Sequence, residues 1–197
     1  MMKKTGKVLL IVAIAFALLV GTAATAFAEE PPAQGNRQRD DKALTRLFIQ
    51  YDSDNLDAYM ELKAAHQAFH EERRDINQEA KDDARQAFMN ILNALLDEEI
   101  TVVEAREAFD ALKEKTDAFK EEAKVILDAK KAENEGIREQ LQDIRAQMRD
   151  ALDEDEVDAD QMASLLQQTL VLLQQHYDLD VSTAEQVDAL RAEYFAE

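Results

Sequence analysis

Residues 102–152 read VVEAREAFDALKEKTDAFKEEAKVILDAKKAENEGIREQLQDIRAQMRDAL. Within them Val102, Ala105, Phe109, Leu112, Thr116, Phe119, Ala123 and Ile126 recur every three or four residues, and so do Ile137, Leu141, Ile144, Met148 and Ala151. A step of three or four returns a side chain to the same side of a helix with 3.6 residues per turn. The segment therefore carries one apolar stripe that another helix must cover. Good helix formers fill much of the remainder, and Gly136 is the one residue from Asp41 to Glu197 that strongly opposes helix. An interruption near Asn134–Gly136 is the one open question about this segment.

The same period extends outward. Leu44, Leu47, Phe48 and Tyr51 are spaced for one helix face, as are Met162, Leu166, Thr169, Leu173 and Tyr177. Strand-like alternation persists nowhere. Helix starts are marked by side chains that satisfy the orphan N–H groups of a first turn: Thr101-Val102-Val103-Glu104 and Ser182-Thr183-Ala184-Glu185 fit the capping box. Asp158-Ala159-Asp160-Gln161 and Asp54-Asn55-Leu56-Asp57 are looser versions. The acidic runs Asp97-Glu98-Glu99 and Asp153 to Glu156 are too polar to bury, so the chain reverses there. The expected fold is all-α: elongated antiparallel helical hairpins or a bundle with long helices and no strands. Its helices are placed at about 42–52, 55–97, 102–152, 159–178 and 183–195 of a helical domain 41–197.

Ahead of that domain, Lys3, Lys4 and Lys7 precede an apolar run from Val8 to Val20 and the small-residue stretch ending Ala26-Phe27-Ala28. This is the layout of a secretory signal peptide over residues 1–28, with cleavage after Ala28. The run falls short of the roughly 20 apolar residues that a spanning helix needs, so no stable membrane insertion is expected once it is removed. No Cys follows it, which excludes the lipid-anchored bacterial type. Residues 29–40, EEPPAQGNRQRD, hold both prolines of the chain and almost no apolar surface, and read as a disordered polar tether. The expected location is extracytoplasmic, either periplasmic or secreted.

Charge narrows the partners. Without the three leader lysines the 23 basic residues become 20 against 42 acidic ones, and the net charge moves from −19 to −22. Such a surface repels phosphate backbones, so nucleic acid is a poor partner. With no Cys in an exported chain, disulfides and thiolate metal sites are excluded, and stability must come from burial and helix packing.

Catalysis has little to stand on here. Three histidines do not suggest a Ser/His/Asp arrangement, and four scattered glycines make no phosphate loop, so no enzyme activity and no cofactor is expected. His66 and His70, four apart on a helix, can offer two imidazoles to one Zn²⁺ or Cu²⁺. The residue after His66 is Gln67, so the Glu that serves as general base in a metalloprotease helix is missing. The plainer account puts His66 on or beside the apolar stripe between Leu62 and Phe69, with His70 on the surface. Neither Asp52-Asp54-Asp57 nor Asp153-Asp155-Asp158-Asp160 has the Gly and the bidentate Glu of a calcium loop, so capping and solvated hinges explain them. Met148, Leu152, Met162, Leu166 and Leu173 form a stripe around the second hinge. It serves either as core or as a groove that accepts hydrophobic client segments.

Leu44-Thr45-Arg46-Leu47-Phe48 keeps the Leu-Thr, and Ser182-Thr183-Ala184-Glu185-Gln186 keeps the Thr-x-x-Gln, of an LTxxQ motif placed near each end of a short run of antiparallel helices. In these residues, and in Ile137 to Leu190 around them, the chain resembles the Spy/CpxP (LTxxQ-motif) family of periplasmic stress proteins and chaperones. The resemblance implies ATP-independent binding of unfolded or envelope proteins, or sensing of envelope stress, with Leu44, Thr45, Thr183 and Gln186 as the motif residues. The rival class is a non-catalytic structural or interaction protein of the envelope, a helical spacer or scaffold whose stripes are buried in its own bundle or in a homodimer. A low-affinity metal-binding protein is the third reading.

Overall fold

The computed structural model describes residues 34–195, and among them the fold is all-α. Four long helices follow one another: α1 Gln34–Tyr51, α2 Leu56–Leu96, α3 Val102–Leu152 and α4 Ala159–Phe195, with a 3₁₀ turn at Ser53–Asn55. No strand occurs among the described residues. Nor is any helix among them long and apolar enough to cross a membrane. The signal peptide expected at 1–28 and the first part of the tether, residues 29–33, lie outside the described residues.

Two boundaries differ from the sequence reading. The tether expected at 29–40 is helical from Gln34 to Asp40, as the first turns of α1. Once Leu44, Leu47 and Phe48 anchor a helix, added turns bear no nucleation cost, and Gln and Arg propagate it readily. The helices expected at 159–178 and 183–195 are one helix, α4. Ser182 does not cap a new helix there: its hydroxyl donates to the Leu179 carbonyl at 3.2 Å, a bond that fits inside a continuous helix.

Other local signals act as read. Thr101 N–H donates to Glu104 Oε2 at 2.7 Å and Glu104 N–H donates to Thr101 Oγ1 at 3.3 Å, which closes the capping box of α3. The backbone bond from Thr101, together with the one from its hydroxyl, holds the exposed Glu104 carboxyl below its usual pKa. Asp158 Oδ1 accepts from Asp160 N–H at 3.0 Å and Gln161 N–H at 3.1 Å and so starts α4.

At the end of α2, Glu98 adopts φ 59° while Glu99 N–H reaches back to Ala94 O at 2.9 Å and Glu98 N–H to Leu95 O at 3.4 Å. This pair of bonds makes a Schellman ending with Glu where Gly is usual. A left-handed backbone costs a non-Gly residue roughly 1–2 kcal/mol, and this carboxylate also sits at the negative end of a helix dipole. Glu98→Gly should therefore raise stability by about 1 kcal/mol, read as a higher urea midpoint at unchanged slope. An unchanged midpoint would mean that the Glu98 conformation carries no strain.

α3 passes through Gly136 without a break, and a Cβ added there meets nothing within 4 Å. Gly136→Ala should accordingly stabilise by about 0.5–1 kcal/mol through helix propensity alone. A loss of stability on chemical unfolding would contradict that open space.

The described chain divides into two compact units. One contains residues 73–124 and 190–195. Here α2 and α3 run antiparallel on either side of the 97–101 turn, with the Phe88 and Phe109 rings 5.0 Å apart and Phe88, Ala105 and Ala123 buried. Tyr194 donates to Glu122 at 2.6 Å, and Phe119 meets Tyr194 and Phe195 at 6.2 and 5.6 Å.

The other unit contains residues 34–72 and 125–189. Its core gathers Phe48, Tyr59, Leu141, Ile144, Met148, Ala151, Met162, Leu165, Leu166 and Leu172, with Phe48 stacked on Tyr59 at 4.7 Å. Met148, Met162 and Leu166 of the stripe are buried in this core, and Leu173 is half-buried against it. Leu152 instead stands 42% exposed as the last residue of α3, because Ala151 takes the inward position next to the turn. The turn itself, Asp153 to Glu156, is solvated throughout.

Candidate metal centre

All of this site lies within the unit of residues 34–72 and 125–189. Its centre is Asp180, on the stretch of α4 where a helix break was expected, and only 6% exposed. A buried carboxylate must be neutralised or hydrogen-bonded. Asp180 has three nitrogen partners on three helices. Lys130 of α3 donates from Nζ to Oδ1 at 2.7 Å, His66 of α2 places Nε2 3.3 Å from Oδ2, and His176, one turn before on α4, places Nδ1 3.4 Å from the same Oδ2.

His70 completes the group. Its ring meets that of His66 edge-on at 4.4 Å, as the i, i+4 spacing on α2 dictates, and ligand atoms of His66, His70 and Asp180 all lie within 4.8 Å of one another. Every histidine of the chain thus comes to one carboxylate. Phe69 and Tyr177 form an aromatic wall beside them, their rings 6.0 Å apart and Tyr177 6.1 Å from the His66 ring.

The electrostatics follow from burial and pairing. Burial alone would raise the Asp180 pKa, but hydrogen bonds from His66 and Lys130, with the charge of Lys130 behind them, hold it far below the usual carboxylate range. Burial lowers the pKa of His176 and outweighs the opposing pull of Asp180, with the charges of His66, Lys130 and Arg138 adding to the lowering. A neutral imidazole beside an ionised carboxylate is the protonation pattern that a metal ion requires of its ligands.

In a tetrahedral zinc site with bonds near 2.0–2.2 Å, neighbouring ligand atoms stand roughly 3.3–3.5 Å apart. The His66–Asp180 and His176–Asp180 separations, 3.3 and 3.4 Å, already have that value. His70 has further to come, a movement within reach of side-chain rotation, since it is exposed and His66 is 35% exposed. The same exposure leaves an ion a way in from solvent.

No family model, curated protein or solved structure matches the chain. The cluster has to be read from its own geometry.

Of the residues singled out in sequence, His66 and His70 are brought together with a third ligand. Leu44 and Thr45 lie half-buried on α1, while on α4 Thr183 is buried and Gln186 exposed. The sequence reading did not find Asp180, His176 and Lys130. A signal for two of them was present: His176-x-x-x-Asp180 repeats on α4 the spacing of His66-x-x-x-His70 on α2. Two such pairs on facing helices are what a four-ligand site between helices needs.

Proposed function

We propose that the chain is an exported, non-catalytic helical protein of the cell envelope that binds a divalent transition metal, Zn²⁺ or Cu²⁺, through His66, His70 and Asp180, with His176 as the fourth ligand. The observation that carries this is the convergence of all three histidines on one buried carboxylate. Imidazole-rich sites suit zinc, copper and nickel, whereas calcium and magnesium want six or more oxygen ligands, of which this cluster offers a single carboxylate. Export is supported by the signal-peptide layout of residues 1–28. A binding role in place of catalysis is supported by the residue after His66: it is Gln67, so the Glu that serves as general base in a metalloprotease helix is missing.

The chaperone activity implied by the Spy/CpxP resemblance would need an open apolar groove. Burial of Met148, Met162 and Leu166 favours core over groove for that stripe and so lends the chaperone reading no support.

A ligand that binds only the folded state at 100 times its Kd stabilises it by about 2.7 kcal/mol. Added Zn²⁺ or Cu²⁺ should therefore raise the melting temperature by several degrees, equimolar Ca²⁺ or Mg²⁺ should do much less, and His70→Ala should abolish most of the Zn²⁺ effect. Melting that ignores Zn²⁺, or a His70→Ala variant that responds as fully as the parent, would overturn the metal reading.

A further inference from the structure

Lys130 is the member of the cluster that cannot be a ligand while it is charged, yet it makes the shortest contact with Asp180, 2.7 Å at Oδ1. His66 and His176 share the other oxygen, so a metal held by those imidazoles would bind Oδ2. Its two charges would then lie roughly 5 Å from the ammonium, given a metal–oxygen bond of about 2.0–2.2 Å. At that range, about a carboxylate only 6% exposed, like charges repel strongly enough to weaken binding many-fold. Ion and ammonium are therefore competitors for one carboxylate. Lys130 is 22% exposed and carries its ammonium on a flexible four-carbon stem.

A second, independent observation offers the displaced ammonium an acceptor. Asn134 is 3% exposed, and its Oδ1 has no hydrogen-bond partner. Buried polar atoms in folded proteins are nearly always paired, so an orphaned acceptor calls for a reason. Asn134 stands four residues beyond Lys130 on α3, hence one turn along the same face, the spacing at which helix side chains meet.

We infer, on the basis of the metal reading above, that Lys130 is a tethered counter-cation that the metal replaces, its ammonium passing from Asp180 Oδ1 to Asn134 Oδ1 as the ion binds. Before loading, Lys130 keeps the buried carboxylate compensated, so the chain folds without its metal. A structural zinc whose removal unfolds the chain behaves in the opposite way. The exchange makes the site a reversible one, suited to carrying or buffering a transition metal outside the cytoplasm.

Isothermal titration of the full chain with Zn²⁺ tests this on four proteins: the parent, Lys130→Met, Asn134→Leu and the double variant. Lys130→Met, which keeps the apolar stem and removes the charge, should bind Zn²⁺ at least tenfold more tightly. Asn134→Leu should bind several-fold more weakly than the parent, because the displaced ammonium loses its acceptor, and should change nothing in the Lys130→Met background. If Lys130→Met does not fold unaided, Lys130→Gln answers the same question, and for either the rise in melting temperature with Zn²⁺ should exceed that of the parent. Binding by Lys130→Met or Lys130→Gln no tighter than the parent would overturn the inference and make Lys130 a residue that orients the carboxylate. An Asn134→Leu effect of equal size in both backgrounds would overturn the transfer to Asn134. A parent protein that binds no Zn²⁺ removes the metal reading and this inference together, whereas parental binding with an unimproved Lys130 variant removes this inference alone.

Discussion

Truncating Leu166 to Ala is expected to cost about 2–5 kcal/mol, with the value in the upper half of that range. The side chain is fully buried and belongs to a cluster built from α1, α2, α3 and α4, with Phe48, Tyr59, Ile144, Met148 and Met162 among its members. A cavity lined from several helices cannot be closed by shifting one of them, so most of the lost volume should persist. Set against the 5–15 kcal/mol that holds a typical domain together, such a loss would lower the urea midpoint sharply. Leu152→Ala is the internal control: the same chemistry at a position 42% exposed should cost well under 1 kcal/mol. Equal midpoints for the two variants would show that Leu166 is not in the core.

The helices themselves were legible because their evidence is periodic and long. Over the 51 residues of α3 the apolar spacing runs from Val102 to Ile126 and again from Ile137 to Ala151, and a single glycine between the runs cannot break a helix with that much packing behind it. The two capping boxes show where local reading stops. Thr101 and Ser182 begin the same four-residue signature, yet Thr101 caps a helix and Ser182 lies inside one. The difference is tertiary. Around Ser182 the chain buries Asp180, Thr183, Ala184 and Val187, and a helix break there would draw Asp180 away from its partners. From Leu96 to Glu104 every residue is exposed or half-buried, which leaves the box to act on its own.

The candidate centre was half legible for a related reason. His66 and His70 announce themselves through spacing on one helix, which sequence displays directly. Asp180 follows His66 by 114 residues, and its arrival depends on how α4 lies along α2 within their unit. Nothing in an acidic chain with 42 carboxylates marks this one as buried. Only its pairing with His176 at four residues' distance sets it apart, and that pattern acquires meaning once the two helices are known to be neighbours.

Acid should reveal that burial. The Asp180 pKa is held below its unfolded value of 3.8, so the bonds from His66 and Lys130 contribute stability at every pH above that value, and the contribution is lost as pH falls through the folded pKa. His176 acts earlier: its pKa is lowered from 6.5, so the unfolded state takes up its proton first and stability falls as pH drops below about 6.5. Against both runs the whole-molecule charge of −19, whose self-repulsion is relieved by acid, so the parent profile alone would be ambiguous. Asp180→Asn removes the carboxylate charge, keeps its shape and shares that background. In buffer with a chelator at pH 7 the variant should be less stable by about 3 kcal/mol, the low end of the range for breaking a buried ion pair, since Lys130 and His66 keep some contact with water. The gap between parent and variant should hold down to about pH 4 and close below it, as the parent's own Asp180 accepts a proton. Urea midpoints measured from pH 7 to pH 2 would settle the point. A gap that closes already near pH 6, or that is absent at pH 7, would mean Asp180 is not the ionised, buried centre of this cluster.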